Sequence, residues 1–327
     1  MTGLSDSFQR PISYLRISVT DRCNLRCVYC MPSQGIDLIS HHDILTYEEI
    51  YTVARAAAEL GVKKIRITGG EPLVRLGLSD LVRILGSIEG IDDISLTTNG
   101  ILLGRYADGL KSAGLKRVNV SLDTLRPERF ERITGSNCLE QVLAGITAAR
   151  QAGLEPVKLN TVVLGGLNDD EIIDFGRKTI NEGWHVRFIE RMSFYAEDSS
   201  ASQFVSANEV RQRLETLGKL EPCSPGAGNG PAKYFRFAGA SGSVGFITAV
   251  SEHFCFNCNR LRLTADGKLR LCLMSEEEID LKQPLRQGIS QEGLKEIIRQ
   301  AAARKPASQT TAAGKTPRRR PFSQVGG

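Results

Sequence analysis

The sequence predicts an α/β protein built on a parallel sheet, followed by a smaller β-rich module. Three observations predict it. From Tyr14 to Glu190 short β-rich runs alternate with amphipathic stretches of helical period, the pattern of parallel strands joined by helical crossovers. Between Cys223 and Pro231 the composition turns abruptly to Ser, Pro, Gly and Asn, which marks a linker. Beyond it the runs shorten and are punctuated as hairpins, with an Asp266-Gly267 turn between two of them.

The strand candidates of the first unit are Leu15–Val19, Lys64–Thr68, Ile94–Thr97, Arg117–Ser121, Val157–Val163 and His185–Ile189, with one or more helices before each later strand. Thr46 followed by Glu49 is a capping box that opens the first helix, and Gly61 stops it just beyond Leu60. Six βα-type repeats suit either an open doubly wound sheet or a partial barrel. In both, ligands bind at the carboxyl ends of the strands, where the candidate site residues of the first four strands fall. A helix over Ala207–Leu217 closes this unit, so the expected boundaries are 1–220 and 221–327. The second unit carries hairpin strands at Tyr234–Phe237, Gly245–Val250, Leu261–Thr264 and Lys268–Leu273. Residues 301–320, rich in Ala, Thr, Lys, Arg and Pro, read as a flexible solvated tail.

A chain of 327 residues with 41% hydrophobic and 24% charged content can bury an ordinary globular core. The net charge of +5 includes the run Arg318-Arg319-Arg320, so no nucleic-acid-binding body is expected, while a phosphorylated small molecule stays compatible. Met1–Pro11 lacks the apolar stretch of a secretory signal, and nowhere do roughly 18 apolar residues run together as a membrane span requires. Six of the eight cysteines fall in two tight groups, a pattern of metal ligation in a reducing compartment, and the expected location is the cytoplasm. Cys138 and Cys223 have no partner at ligand spacing and read as structural.

Cys23, Cys27 and Cys30 follow the first strand so closely that one loop can wrap three thiolates around one centre. Thiolates suit zinc and iron–sulfur clusters alike, but structural zinc takes four protein ligands, here requiring His41 or His42 as a fourth. A [4Fe–4S] cluster on three cysteines leaves one iron open to a ligand. Cys255 and Cys258 form a second knuckle, and the Asp266-Gly267 turn can return Cys272 toward it. His253 could complete a zinc site there. Alternation along Arg260-Leu261-Arg262-Leu263 puts both arginines on one face beside the knuckle and both leucines toward a core.

The run Arg16-Ile-Ser-Val-Thr-Asp-Arg-Cys-Asn-Leu-Arg-Cys-Val-Tyr-Cys-Met-Pro resembles the radical S-adenosylmethionine superfamily, as does Gly69-Gly70-Glu71-Pro72 after the second strand. The resemblance implies that the open iron chelates the methionine end of S-adenosylmethionine and that one electron cleaves it to a 5′-deoxyadenosyl radical. It further implies that Tyr29, Gly70, Ser121 and Met192 contact that cofactor. The stretch from Phe254 to Leu273, together with the intervening Thr-Thr-Asn-Gly, Val-Lys-Leu-Asn-Thr-Val and Arg-Phe-Ile-Glu segments, resembles the GTP 3′,8-cyclase family of molybdenum cofactor biosynthesis over nearly the entire chain.

That resemblance implies a partial (β/α)6 TIM-type barrel with a carboxyl-terminal β-rich iron–sulfur extension over its mouth, and substrate between two [4Fe–4S] clusters. It implies that the open iron of the second cluster binds the guanine of GTP. Hydrogen abstraction at ribose C3′ and attack on guanine C8 would then give 3′,8-cyclo-7,8-dihydro-GTP. Arg16, Arg66, Thr97, Lys158, Arg260, Leu261 and Arg262 would line the GTP site, Leu261 chiefly through its backbone, since guanidinium forks and ammonium groups suit phosphate oxygens. The terminal Gly326 and Gly327 would thread toward the active site and support catalysis, although Arg318 to Phe322 departs from the family's methionine-containing ending. An external electron donor and a functional partnership with cyclic pyranopterin monophosphate synthase are also implied, and a homodimer is compatible. A peptide-modifying maturase of the same superfamily and a zinc-stabilised binding protein are the competing readings.

Overall fold

A computed structural model describes residues 3–32, 34–192, 203–224, 230–308 and 320–326. Gly327, one of the two expected tail residues, lies outside them. Twelve strands form one sheet among the described residues: β1 Tyr14–Ser18, β2 Lys64–Thr68, β3 Asp93–Thr98, β4 Arg117–Ser121, β5 Lys158–Val163, β6 His185–Glu190, β7 Leu220–Pro222, β8 Lys233–Phe237, β9 Ser243–Ile247, β10 Arg260–Leu263, β11 Lys268–Arg270 and β12 Glu278–Asp280. Strands β1 to β6 lie side by side in chain order, all parallel, with helices in each connection: a partial (β/α)6 barrel.

The predicted hairpins form, β8 with β9 and β10 with β11, both antiparallel. Their other edges extend the barrel sheet in parallel, β9 against β6 and β10 against β1. Strands from the carboxyl-terminal part therefore flank the barrel strands on both sides, which local patterning could not reveal because these pairings join residues far apart in the chain.

The sheet separates two environments. Side chains alternate across a strand, so one face collects Ile17, Ile65, Ile67, Leu96, Val118, Val120, Leu159, Val186 and Phe188, all buried in the apolar core. Burying each such side chain contributes about 1.5–3 kcal/mol, enough to set the register of every strand. The opposite face carries Arg16, Arg66, Thr97, Asn119, Ser121, Asn160 and Arg187. Fully buried parallel strands ordinarily read as continuous apolar runs, so this polar alternation marks an inner face that surrounds a cavity.

Local signals explain the helix ends. Thr46 Oγ1 accepts from Glu49 N at 3.2 Å and Glu49 Oε2 accepts from Thr46 N at 2.8 Å, opening the helix Tyr47–Glu59. Gly61 follows with φ 100°, a left-handed conformation that favours glycine. The flexible tail expected over 301–320 is corrected at its start. The helix Gln291–Ala303 continues through Ala301 and Ala302, both buried, because it packs on the helix Tyr47–Glu59, and Lys305 beyond it is also buried.

Candidate functional site

All six grouped cysteines line one cavity, partly open to solvent, along the inner face of the strands: Cys23, Cys27 and Cys30 follow the carboxyl end of β1, whereas Cys255, Cys258 and Cys272 lie at the opposite, amino end of β10 and β1, where Arg10 Nη1 donates to Cys255 O. The first loop is a tight turn, with Cys27 O accepting from Cys30 N at 2.9 Å and from Met31 N at 3.1 Å. It is held from outside by the end of the helix Pro127–Thr134, whose Thr134 and Ile133 carbonyls accept from Arg26 N and Val28 N.

The glycine pair after β2 fits against that loop. Gly70 N donates to Thr20 O at 2.7 Å and Glu71 N to Arg22 O at 2.8 Å. A Cβ on Gly69 would sit 2.7 Å from Thr20 O, and one on Gly70 would collide with Arg22 O. The close approach that requires glycine here is thus made by the cysteine loop's own backbone. Glu71 completes the clamp: its carboxylate accepts from Thr98 Oγ1 at 2.7 Å, Asn99 N at 2.6 Å and Leu73 N at 3.0 Å. Asn99 in turn donates to Asn24 Oδ1 at 2.7 Å, within the cysteine loop.

Beside the loop, Tyr29 Oη donates to Asp123 Oδ2 at 2.7 Å, and Asp123 Oδ1 accepts from Val162 N at 2.8 Å. Burial raises the Asp123 carboxyl to about 6 against these two bonds. Burial, then neighbouring thiolate charge and Asp123, pushes Cys27 well up and Cys30 to about 12. The second group has the opposite surroundings. Burial raises the Cys258 thiol, but Arg260 and Lys305 outweigh it and bring it down to about 7.

Arg262, Arg16 and Arg66 stand in register on β10, β1 and β2, three guanidinium-bearing positions on one rung. Burial, then Arg260, lowers Arg262 to about 10; burial, then Arg262, lowers Arg16 well below its ordinary value. Mutual repulsion of this kind is relieved by a polyanion. Arg66 Nη1 donates weakly to Thr97 Oγ1 at 3.4 Å, while its Nε is bonded to Tyr14 Oη. Lys158 lies beyond the rung, in a recess shared with Arg66, Arg117, Arg187 and Tyr234, with its ammonium 5.0 Å from the Tyr234 ring centre.

The structure thus gathers Arg16, Arg66, Thr97, Arg260 and Arg262 with Tyr29, Gly70, Ser121 and Met192 around the cavity, and puts Lys158 in the adjoining recess. The Leu261 side chain points away into the core. Gly326 reaches the site, its carbonyl accepting from Arg262 Nη1 at 3.0 Å. Sequence reasoning missed Asp123, Arg187 and Lys305. Arg187 is buried, and its Nε and Nη2 have no hydrogen-bond partner among the described residues. The available signal was its inward phase within Arg-Phe-Ile-Glu on β6.

Each donor set is three cysteine sulfurs lining the cavity, a chemistry that suits an iron–sulfur cluster with one iron left open to a ligand. No described helix is long and apolar enough to cross a membrane.

Comparison with known proteins agrees with this geometry. The family model described as Radical SAM superfamily matches residues 17–178, and that described as Molybdenum Cofactor Synthesis C matches 184–311. The GTP 3′,8-cyclase of Pelotomaculum thermopropionicum is 55% identical over 99% of this chain and 100% of its own length. That of Moorella thermoacetica is 53% identical over the same shares. Among solved structures, Streptococcus suis SuiB bound to precursor peptide SuiA has TM-score 0.62 at 14% identity, covering 94% of this chain and 68% of that one, a likeness of fold alone. With half of all residues shared along the full length of both chains, this protein belongs to the GTP 3′,8-cyclase family of the radical S-adenosylmethionine superfamily.

Proposed function

We propose that this chain is a lyase that cyclises GTP to 3′,8-cyclo-7,8-dihydro-GTP, the first step of molybdenum cofactor biosynthesis. The observation that carries the reading is the single cavity in which a rung of arginines lies between two three-cysteine sets. Cys23, Cys27 and Cys30 would hold one [4Fe–4S] cluster, and Cys255, Cys258 and Cys272 the other. When bound, the first cluster and S-adenosylmethionine supply the one-electron chemistry that the reaction needs.

The chain's own residues bind, orient and shield. Tyr29, Gly70, Ser121 and Met192 would seat S-adenosylmethionine, with Asp123 fixing the Tyr29 ring. Arg16, Arg66, Arg260, Arg262 and Lys158 would hold the triphosphate and guanine, with Thr97 and the Leu261 backbone completing the site. A buried array of cations binds a polyphosphate strongly because its charge is already fixed in place and little reorganisation is needed. Gly326 and Gly327 would close the site from the tail side and support productive turnover. The 1–220 and 221–327 division assigns the radical chemistry to the first unit and the second cluster to the other.

In this reading the protein works in the cytoplasm with an external electron donor, as a monomer or a homodimer. Cyclic pyranopterin monophosphate synthase consumes its product. The test is anaerobic reconstitution followed by incubation with GTP, S-adenosylmethionine and a reductant, with mass analysis of the products. 5′-Deoxyadenosine together with a cyclised isomer of GTP supports the proposal; 5′-deoxyadenosine with no GTP-derived product refutes the substrate assignment.

A further inference from the structure

Lys305 follows the helix Gln291–Ala303 and is 3% exposed. Its ammonium donates to the carbonyl of Arg260 at 2.9 Å and to that of Leu271. Arg260 comes two residues after Cys258, and Leu271 immediately precedes Cys272, so the ammonium is pinned between the two segments that carry these cysteines. Its charge acts on Cys258 and Cys272, and it lines the cavity they share. The segment itself is clasped from behind: Arg10 donates to Cys255 O at 2.7 Å, Ala307 O at 2.8 Å and Pro306 O at 2.7 Å. Lys305 therefore cannot swing out to solvent without breaking a buried network.

A cluster on three thiolates carries excess negative charge, and one-electron reduction adds more. A fixed cation beside the ligand sulfurs stabilises the reduced form and raises the reduction potential. At the first cysteine set carboxyls outnumber cations: Asp123 faces Cys27 and Cys30 and Glu71 faces Cys23, with Arg26, whose Nη1 donates to Cys23 O at 3.0 Å, as the cation beside them. We propose that Lys305 is a charge-compensating residue of the second cluster, fixed in place beside the substrate-facing Arg260, and that it raises this cluster's potential above that of the first. The electron for S-adenosylmethionine cleavage is then delivered at the low-potential site, while the second cluster stays available to substrate. The inference rests on the cluster assignment made above.

The test measures each cluster alone by redox titration followed by electron paramagnetic resonance. Cys27→Ala isolates the second cluster and Cys272→Ala the first, with iron content confirming one cluster in each. Adding Lys305→Met should move the second cluster's midpoint to lower potential, leave the first cluster's midpoint in place, and be reversed by Lys305→Arg, which keeps the charge. Lys305→Gln, which retains N–H donors without charge, should also lower it, and carries the test if the methionine variant loses its cluster. An unchanged second-cluster midpoint in the uncharged variants, or equal shifts in both clusters, overturns the proposal. Loss of the second cluster from all three variants, arginine included, would make Lys305 a strut and overturn it too. A parent protein with only one cluster's iron would overturn the cluster assignment itself, and this proposal with it.

Discussion

Arg262 Nη1 donates to the carbonyl oxygen of Gly326 at 3.0 Å, which ties the last described residue of the chain to the arginine rung. Three further contacts hold this return. Arg320 pairs with Asp266 at 2.7 Å and with Glu278 at 2.8 Å, and Gln324 Nε2 donates to Asp37 O at 3.1 Å. Arg320 belongs to the basic run read from sequence as surface charge, and Asp266 belongs to the turn that folds the Cys272 hairpin. One turn thus organises both the second cysteine set and the tail.

Gly326 has φ 72°, and a Cβ there would lie 3.4 Å from both Ser18 Cβ and Thr68 Oγ1. Gly326→Ala should cost about 1–2 kcal/mol at this left-handed position, a roughly 5- to 30-fold loss of docked tail. Hydrogen exchange should show faster labelling of 320–326, and cyclised product should fall more than 5′-deoxyadenosine. Unchanged exchange would show that the tail tolerates a side chain here.

The two cysteine sets should be separable. Cys27→Ala should abolish both 5′-deoxyadenosine and cyclised GTP, whereas Cys272→Ala should abolish cyclisation and retain uncoupled S-adenosylmethionine cleavage. Each variant should lose about half the iron, in line with two independent three-thiolate sites. Full cyclisation by either variant would refute the division of roles.

Lys158 should make GTP binding depend on pH. Burial, then Arg187, Arg117 and Arg66, lowers its ammonium to about 7. The free protein loses that proton as pH rises through 7, while a bound polyphosphate favours the charged form, so binding takes up a proton. Affinity for GTP, measured without reductant, should therefore weaken by up to tenfold per unit above about pH 7. Lys158→Met should bind more weakly at low pH and show a shallower slope. Equal slopes in the two proteins would remove Lys158 from the binding reaction.

Asp123→Asn should weaken S-adenosylmethionine binding. The carboxylate accepts from Tyr29 Oη and Val162 N on separate oxygens, and an amide can accept on only one of them. With the amide oxygen kept on Val162 N, the NH2 group turns Tyr29 Oη into an acceptor and the buried hydroxyl proton loses its carboxylate partner, a loss of about 1–3 kcal/mol. Equilibrium dialysis should show a higher dissociation constant for S-adenosylmethionine with iron content unchanged; an unchanged constant would mean Tyr29 is fixed by packing alone.

Much of this protein was legible locally. Alternation of period two along Arg260-Leu261-Arg262-Leu263 assigned both arginines to one face and both leucines to the other, because each side chain's face follows from its neighbours in the chain. The capping box at Thr46, the cysteine spacings and the glycine pair after β2 were equally local. Glycine at 69 and 70 was read as room for a cofactor, and the nearer reason is the backbone of the cysteine loop itself.

The tertiary structure decided what depends on register and return. That Arg262 aligns with Arg16, 246 positions earlier, follows from the parallel pairing of β10 with β1, and no local pattern encodes it. The same holds for Lys305, a lysine in a segment whose composition reads as solvated tail, and for Arg320, whose charge reads as surface. Sequence determines which groups a segment can offer, since conformation and side-chain face are short-range properties. Which groups meet is decided by the packing of the whole chain, where burying one face of every strand brings distant cations and thiolates to a common cavity.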